Sequence, residues 1–207
     1  MSEAAPLTFV APEDVARANF YGLIARLFYA APDSQLISEL VRAPALDAAG
    51  ETSSQGAALA AAWGAMLEAC RTAFPVALEN EHTALFVGTG KAEITPYLSK
   101  YVLRHANDNP LVDLREQLNR WGIGRREGIA EYEDHICGIC ETMRFAIAVQ
   151  QRTPEEQKAF FERFIYPGAT AFCDAVNASN QSRFYRLVAQ FARAFFDIEK
   201  AAFEMVG

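Results

Sequence analysis

The apolar residues of this chain recur at the spacing of an α-helix along almost its whole length. They follow one another at intervals of three or four between residues 20 and 28, between 59 and 74, and between 184 and 198. This spacing places apolar side chains on one face of a helix. We find no segment with the strict alternation of a half-buried strand. The sequence therefore predicts an all-α fold, a helical bundle of about nine helices in one domain spanning residues 1–207.

Proline, glycine and capping residues predict where several helices begin and end. Thr153, Pro154 and Glu156 form the clearest start signal, with a cap, a proline at the first position and an acid at the third. Residues 132–151 are predicted to form one helix. Pro167 is predicted to end the helix that begins at Pro154, because proline lacks the N–H that a helix interior needs.

Two segments break the helical period. Residues 43–55 are rich in Ala, Gly, Ser and Thr, which predicts a loop and a hinge about which the first two helices detach from the rest. Residues 87–107 contain Gly88, Gly90 and Pro96 and form a longer interruption. Loops of this length are uncommon in compact domains unless they have a function, so we predict that residues 87–107 are a binding loop.

Composition and charge exclude several classes of protein. Half of the residues are hydrophobic (51%), which excludes general disorder, and the formal net charge is −7. A negative chain is poorly suited to nucleic acid or to an anionic membrane surface, and it suits a cationic peptide or protein. The first ten residues lack a signal-peptide pattern, and the longest uncharged run is too short to span a bilayer. We therefore expect a cytoplasmic protein without stable membrane insertion and without a nucleic-acid partner.

The main alternative is a metal- or redox-active helical protein that uses Cys137, Cys140 and His135. Two thiols at this spacing beside a histidine are potential zinc ligands, but the second ligand pair of a structural zinc site is missing. Cys70 and Cys173 stand apart from them in the sequence. The simpler interpretation is that Cys140 packs in the core as a small apolar residue while Cys137 lies at its flank. We expect no metal and no cofactor.

A second alternative is a nucleotide-dependent enzyme that uses the loop Thr89, Gly90 and Lys91. This loop lacks the full spacing of a phosphate-binding loop, and the chain has no nucleophile elbow. We therefore predict that the protein is not an enzyme. A third alternative is a structural adaptor with the same fold and no peptide capture.

Three short segments concentrate polar and aromatic residues where a core pattern alone does not place them. They are residues 81–88 at a helix end, residues 96–101 in the long loop, and residues 133–136 at a helix start. The predicted site residues in these segments are Glu81, Phe86, Pro96, Tyr97, Ser99, Tyr101, Asp134 and His135.

These segments resemble motifs of the TorD/DmsD/NarJ family of redox-enzyme maturation proteins. Residues 81–88 are similar to an acidic and aromatic step that ends in Leu-Phe-x-Gly, and residues 96–101 match a Pro-Tyr-x-Ser-x-Tyr loop. Residues 133–136 match a Glu-Asp-His-Ile helix start, which Glu141 and Met143 follow as in the family. The similarity runs in order over nearly the whole chain.

The resemblance implies an all-helical chaperone that acts on cytoplasmic precursors of molybdenum-containing oxidoreductases. Its partner would be the immature catalytic subunit, the twin-arginine signal peptide, or both, held for cofactor insertion and proofreading before export. We expect Asp134 to accept hydrogen bonds from a guanidinium group, with His135 orienting it and Glu81 as a second acceptor. Tyr97 and Phe86 are expected to form the apolar wall of the groove. The long loops leave two oligomeric states open, a monomer or a domain-swapped dimer.

Overall fold

A computed structural model describes residues 10–46, 53–88, 91–103, 109–124 and 131–205 of the chain. This part contains no β-strand, and one isolated bridge pairs Tyr97 with His135. The α-helices are α1 (Pro12–Tyr29), α2 (Ser34–Arg42), α3 (Ser54–Arg71), α4 (Pro75–His82), α5 (Ser99–Val102), α6 (Pro110–Arg120), α7 (Ile136–Ala148), α8 (Pro154–Phe160), α9 (Tyr166–Ala178) and α10 (Phe184–Met205). Since α5 is a single turn, nine helices have seven or more residues within the described ranges. The predicted all-α fold of about nine helices is confirmed.

The start signal predicted for α8 is present as a complete capping box. The Thr153 hydroxyl accepts from the Glu156 N–H, and the Glu156 carboxylate accepts from the Thr153 N–H. Each bond satisfies a donor that the first helical turn leaves without a partner.

The predicted boundaries of α7 were wrong at both ends. Instead of spanning residues 132–151, the helix begins at Ile136 and ends at Ala148. His135 is its N-cap, with an extended backbone (φ −60°, ψ 135°). Residues 132–134 therefore precede the helix rather than forming its first turn.

The predicted helix end at Pro167 was also wrong. The helix continues from α8 through one π-helical turn, Phe161–Ile165, directly into α9. Across this turn the Tyr166 N–H donates to the carbonyl of Phe161, five residues earlier. The wider turn accommodates the proline, whose ring would clash with a carbonyl of a regular α-helix.

The core contains closely packed aromatic rings. α1 packs along α7, and α10 packs against both α3 and α9. Phe28 of α1 lies edge-on to Phe172 of α9, with centroids 5.0 Å apart, and to Phe86 at 5.8 Å. Rings in this orientation gain attraction beyond that from area burial. The packing of α1 on α7 also fixes the end of α1 beside the first turn of α7.

The two predicted loops are described only in part. Residues 47–52 of the predicted hinge and residues 89–90 and 104–108 of the predicted binding loop lie outside the described residues. Before the first gap, the Trp63 indole N–H donates to the carbonyl of Pro44 at 2.9 Å, which attaches the end of α2 to α3. Within the predicted binding loop, α5 forms a helical turn that the sequence did not predict. None of the described helices combines the length and apolar character needed to cross a lipid bilayer.

Candidate functional site

Residues 91–103, the described stretch between the two gaps of the predicted binding loop, are called the central loop here. Backbone hydrogen bonds join this loop to the segment before α7. The Leu98 N–H donates to the carbonyl of Asp134 at 2.8 Å, and the Ile136 N–H donates to the carbonyl of Pro96 at 2.9 Å. The Tyr97 ring lies edge-on to the His135 ring, with centroids 5.3 Å apart. Two of the three predicted segments, residues 96–101 and 133–136, are therefore brought together.

Asp134, predicted to accept hydrogen bonds from a client guanidinium group, is oriented toward the protein interior. Its side chain is buried, and one carboxylate oxygen accepts from the hydroxyl of Ser99, the first residue of α5. The other oxygen, Oδ1, is buried and has no hydrogen-bond partner among the described residues. Asp134 thus holds the central loop in place and does not line the pocket described below.

His135 caps α7 and also reaches a surface pocket. Its Nδ1 accepts from the Cys137 N–H at 3.2 Å, so the ring satisfies a donor of the first helical turn. Burial lowers the pKa of His135, since the charged form loses hydration. The imidazole is therefore neutral near pH 7, with its proton on Nε2.

Glu81 has a structural role that the sequence analysis did not predict. Its carboxylate accepts from the backbone N–H groups of Arg183, Phe184 and Tyr185 at 2.8, 3.2 and 2.8 Å. These bonds hold α4 against the start of α10, where N–H groups have no helical partner. While these bonds persist, the Glu81 carboxylate is not available as the predicted second acceptor for a client guanidinium group.

Phe86 and Tyr101 also make their contacts inside the protein. Phe86 is 7% exposed and packs edge-on against Tyr185, so it is part of the core and not of a groove wall. The Tyr101 hydroxyl donates to the carbonyl of Thr95 at 2.8 Å, and its ring lies 6.2 Å from Phe172. Tyr101 therefore anchors the central loop.

A pocket of about 420 Å³ lies between α6, α7 and the end of α1. Of the predicted site residues, His135 alone lines this pocket. Its lining residues are Tyr29, Leu118, Ile123, Gly124, Glu131, Tyr132, Glu133, His135, Cys137, Gly138, Glu141, Thr142 and Arg144. The set contains three carboxylates, Glu131, Glu133 and Glu141, and one arginine, Arg144. Two tyrosines, Tyr29 and Tyr132, are more than half exposed (57% and 55%). The pocket is thus acidic, with aromatic surface at its mouth.

Arg115 of α6, which does not itself line the pocket, pairs with a carboxylate at the acidic end of the pocket. The Nε and Nη2 of Arg115 donate to one carboxylate oxygen of Glu133 at 3.1 and 2.9 Å. The same guanidinium lies 6.0 Å from the ring centroid of Tyr132. A carboxylate and an aromatic ring here provide the two interactions that a guanidinium group favours.

The pocket residues that the sequence analysis missed come from separate parts of the chain. Tyr29 ends α1, Tyr132 and Glu131 precede α7, and Glu141 lies within α7. Glu141 matches the family motif in the sequence but was not predicted as a site residue. The exposure of these residues next to one another depends on how α1 packs on α7, which helical periodicity alone does not predict.

The metal and redox alternative gains no support from the cysteines. All four are buried as free thiols, and Cys137 at 7% exposed does not lie at the flank as expected. Burial raises the pKa of Cys137 and of Cys140, which disfavours the thiolate that binds metals and attacks disulfides. Within the described ranges, no three His, Cys, Asp or Glu side chains are grouped to hold a metal ion.

Comparison with known protein families assigns the chain to one of them. The family model described as nitrate reductase delta subunit matches residues 53–174. The chaperone protein TorD of Photobacterium profundum is 27% identical over 135 residues, which cover 60% of this chain and 62% of that relative. The match therefore spans less than two thirds of the relative's length.

A crystal structure from Archaeoglobus fulgidus, described as that of a candidate redox enzyme maturation protein, has a similar fold. Its TM-score is 0.53 at 17% identity, and the match covers 93% of this chain and 97% of that one. At this identity the similarity concerns the fold alone. The family model extends over more than half of the sequence, and the chain belongs to the nitrate reductase delta subunit family, in agreement with its resemblance to TorD, DmsD and NarJ.

Proposed function

We propose that this protein is a non-catalytic chaperone of redox-enzyme maturation that binds a cationic segment of its client in the pocket between α6 and α7. Membership of the family and the similarity to a TorD chaperone support the chaperone role. The acidic pocket is the observation that carries the proposal, because its carboxylates and exposed tyrosines suit a guanidinium group.

The client we propose is the immature catalytic subunit of a molybdenum-containing oxidoreductase, bound in the cytoplasm through its twin-arginine signal peptide. Two adjacent arginines would pair with Glu131 and with Glu141, in the second case displacing Arg144, whose Nε donates to Glu141 at 2.7 Å, while their planar groups stack on Tyr29 or Tyr132. Each such pair is partly exposed and contributes little alone, which gives a reversible complex. Reversible capture allows the client to be held for cofactor insertion and then released for export.

Calorimetric titration with a synthetic twin-arginine peptide tests this proposal. We expect Glu131→Gln and Glu141→Gln each to weaken binding by up to about fivefold, since each removes one exposed ion pair. Glu79→Gln, which removes an exposed carboxylate of α4 outside this pocket, is the matched control and should bind as the wild type does. A peptide with both arginines replaced by lysine should bind more weakly, because lysine cannot form the planar paired contacts.

Unchanged affinity in both glutamine variants would place the peptide elsewhere on the protein. Binding of the precursor body without its signal peptide, at the same affinity as the full precursor, would show that the mature part is recognised instead. A structural adaptor without peptide capture would bind neither form.

A further inference from the structure

A second pocket, of about 490 Å³, lies between the end of α6 and α8 and carries the opposite charge. Three arginines, Arg120, Arg152 and Arg163, line it together with one carboxylate, Glu156. The chain as a whole has 26 acidic residues against 19 lysines and arginines, so this cluster runs against the charge of the molecule. We call it the basic pocket. It shares no lining residue with the acidic pocket between α6 and α7.

One of the three arginines is fixed by contacts within the protein. The Nη1 of Arg152 donates to the Glu156 carboxylate at 3.1 Å, and its Nε donates to the side-chain oxygen of Gln150 at 3.0 Å. Its guanidinium lies 5.4 Å from the ring centroid of Trp121. Arg152 therefore supplies a positive charge at a defined position, with most of its donors already used.

The other two arginines keep unused donors. Arg120 donates through Nε to the backbone carbonyl of Glu116 at 3.3 Å and forms no ion pair among the described residues. Arg163 donates through Nη2 to the Asp113 carboxylate at 2.8 Å, and its side chain is 56% exposed. Each guanidinium thus retains N–H groups that a ligand in the basic pocket can reach.

The π-helical turn between α8 and α9 presents one of these arginines. Arg163 lies within that turn, Phe161–Ile165, and π-helical turns occur frequently at functional sites. Its guanidinium lies 5.1 Å from the ring centroid of Phe164, and its ion pair with Asp113 holds it toward α6. Arg120 is the last residue of α6. Two arginines from distant parts of the sequence are therefore directed to the same pocket.

The chemistry of the basic pocket favours carboxylates. The planar fork of a guanidinium group matches a carboxylate and can bind it through two parallel hydrogen bonds. The aromatic rings that line the pocket, Trp121, Phe160 and Phe164, are each at most 9% exposed. They leave no open ring face on which a nucleobase could stack. The pocket thus suits a ligand that offers several carboxylates and no aromatic ring.

We propose that the basic pocket binds an acidic segment of a partner polypeptide, whose carboxylates pair with Arg120 and Arg163 beside the fixed charge of Arg152. This site is separate from the acidic pocket and does not depend on the function proposed for it. Each ion pair is partly exposed and contributes little alone, so the segment needs more than one carboxylate to bind.

A synthetic peptide of six glutamates between Gly and Ser residues is the probe, and the NMR signals of the two tryptophan indoles are the readout. Trp121 lines the basic pocket, whereas the Trp63 indole N–H is bonded to the carbonyl of Pro44, and Trp63 lies outside this pocket. We expect the peptide to shift the Trp121 signal and to leave that of Trp63 unchanged. The same peptide with glutamine in place of glutamate should shift neither.

Titrations of arginine variants then test the two proposed contacts. We expect Arg120→Gln and Arg163→Gln each to weaken binding of the glutamate peptide about threefold, and the double variant about tenfold. Arg71→Gln is the matched control, because Arg71 is 54% exposed, pairs with Glu68 and lies outside the basic pocket. It should bind as the wild type does, and circular dichroism should show the same helical content in all variants.

Releasing Arg163 from its partner should have the opposite effect. We expect Asp113→Asn to bind the glutamate peptide about twofold more tightly, since the Arg163 guanidinium loses its competing carboxylate. Glu68→Gln removes the same charge from an exposed ion pair elsewhere and should leave the affinity unchanged.

Three results would overturn the proposal. The first is a Trp121 signal that the glutamate peptide does not shift. The second is an equal loss of affinity in Arg71→Gln and in the two pocket variants, which would reveal unspecific attraction to surface charge. The third is a shift of Trp121 by inorganic pyrophosphate and not by the peptide, which would make the basic pocket a phosphate site.

Discussion

Arg115 is the residue whose environment bears most directly on the proposed binding of a client arginine. Its guanidinium lies between the Glu133 carboxylate and the Tyr132 ring, the environment we propose for a client arginine. The Arg115–Glu133 pair is partly exposed, at 42% and 18% of the two side chains, so exchange for another guanidinium costs little. In the proposed complex, Arg115 would therefore compete with the client arginine for the same carboxylate.

Replacing Arg115 should for this reason strengthen capture. We expect Arg115→Gln to bind a twin-arginine peptide about threefold more tightly than the wild type, because Glu133 loses its ion pair with Arg115 and the pocket becomes more negative. Titration at low and at high salt is the measurement, and the gain should shrink as salt screens the charges. Weaker binding by Arg115→Gln would instead show that the ion pair of Arg115 with Glu133 holds the pocket in its binding conformation.

Single residues also show how far the sequence could predict the site. Residues 96–101 and 133–136 were both singled out in the sequence, and the structure brings them into contact. What the sequence could not assign is the side to which each residue points. In an extended backbone, consecutive side chains point in opposite directions. Asp134 accordingly faces Ser99 in the interior, while His135 faces the pocket.

At the scale of elements, the Glu81 carboxylate fixes the start of α10, the longest of the described helices. It provides acceptors for three backbone N–H groups of residues 183–185, which lie 102 to 104 positions away in the sequence. Capping is normally performed by a residue next to the helix, so a sequence pattern cannot reveal this one. The carboxylate also lies at the positive end of the α10 dipole.

Removing this cap should destabilise the protein without changing peptide binding. We expect Glu81→Ala to lower the free energy of unfolding by about 2 kcal/mol, because three donors lose a charged acceptor and two of them are partly buried. Urea denaturation followed by circular dichroism measures the loss. Glu79→Ala on the same helix, which removes an exposed carboxylate, is the control and should change stability little. If Glu81→Ala loses peptide affinity at a temperature at which it is folded, Glu81 takes part in peptide binding as well.

The helix boundaries illustrate what local rules can and cannot predict. The capping box of α8 was predictable because every group that forms it lies within four consecutive residues. The continuation of the helix past Pro167 was not, because it requires a π-helical turn stabilised by the packing of Phe161 and Ile165 in the core. Local propensity favours a break there, and tertiary burial overrides it.

At the scale of the whole molecule, the candidate pocket exists only through packing between distant segments. Tyr29, Leu118 and Glu141 line it together although they belong to three different helices. Periodicity predicted that those helices exist, although not the bounds of α7, and this is sufficient for the fold class. It carries no information on which helices become neighbours, so the acidic cluster was not visible in the sequence.

The stability of the whole molecule should depend on pH through two buried histidines. Burial lowers the pKa of both His82 and His135, and the proximity of one to the other lowers that of His135 further. The unfolded chain then takes up protons at a higher pH than the folded one. The resulting stability is present above the unfolded pKa, near 6.5, and is lost as the pH falls toward the folded pKa values.

We therefore expect the free energy of unfolding to fall between pH 7 and pH 5, by at most about 1.4 kcal/mol per pH unit for each histidine. The variant His82→Gln should lose less stability over this range than the wild type, because glutamine does not titrate and can still donate toward the carbonyl of Phe28. Urea denaturation at pH 5, 6 and 7 gives the comparison, and the carboxylates contribute equally to both proteins. Equal slopes in the two proteins would mean that His82 titrates alike in its folded and unfolded states, so burial among Phe86 and Tyr185 would not keep its ring neutral.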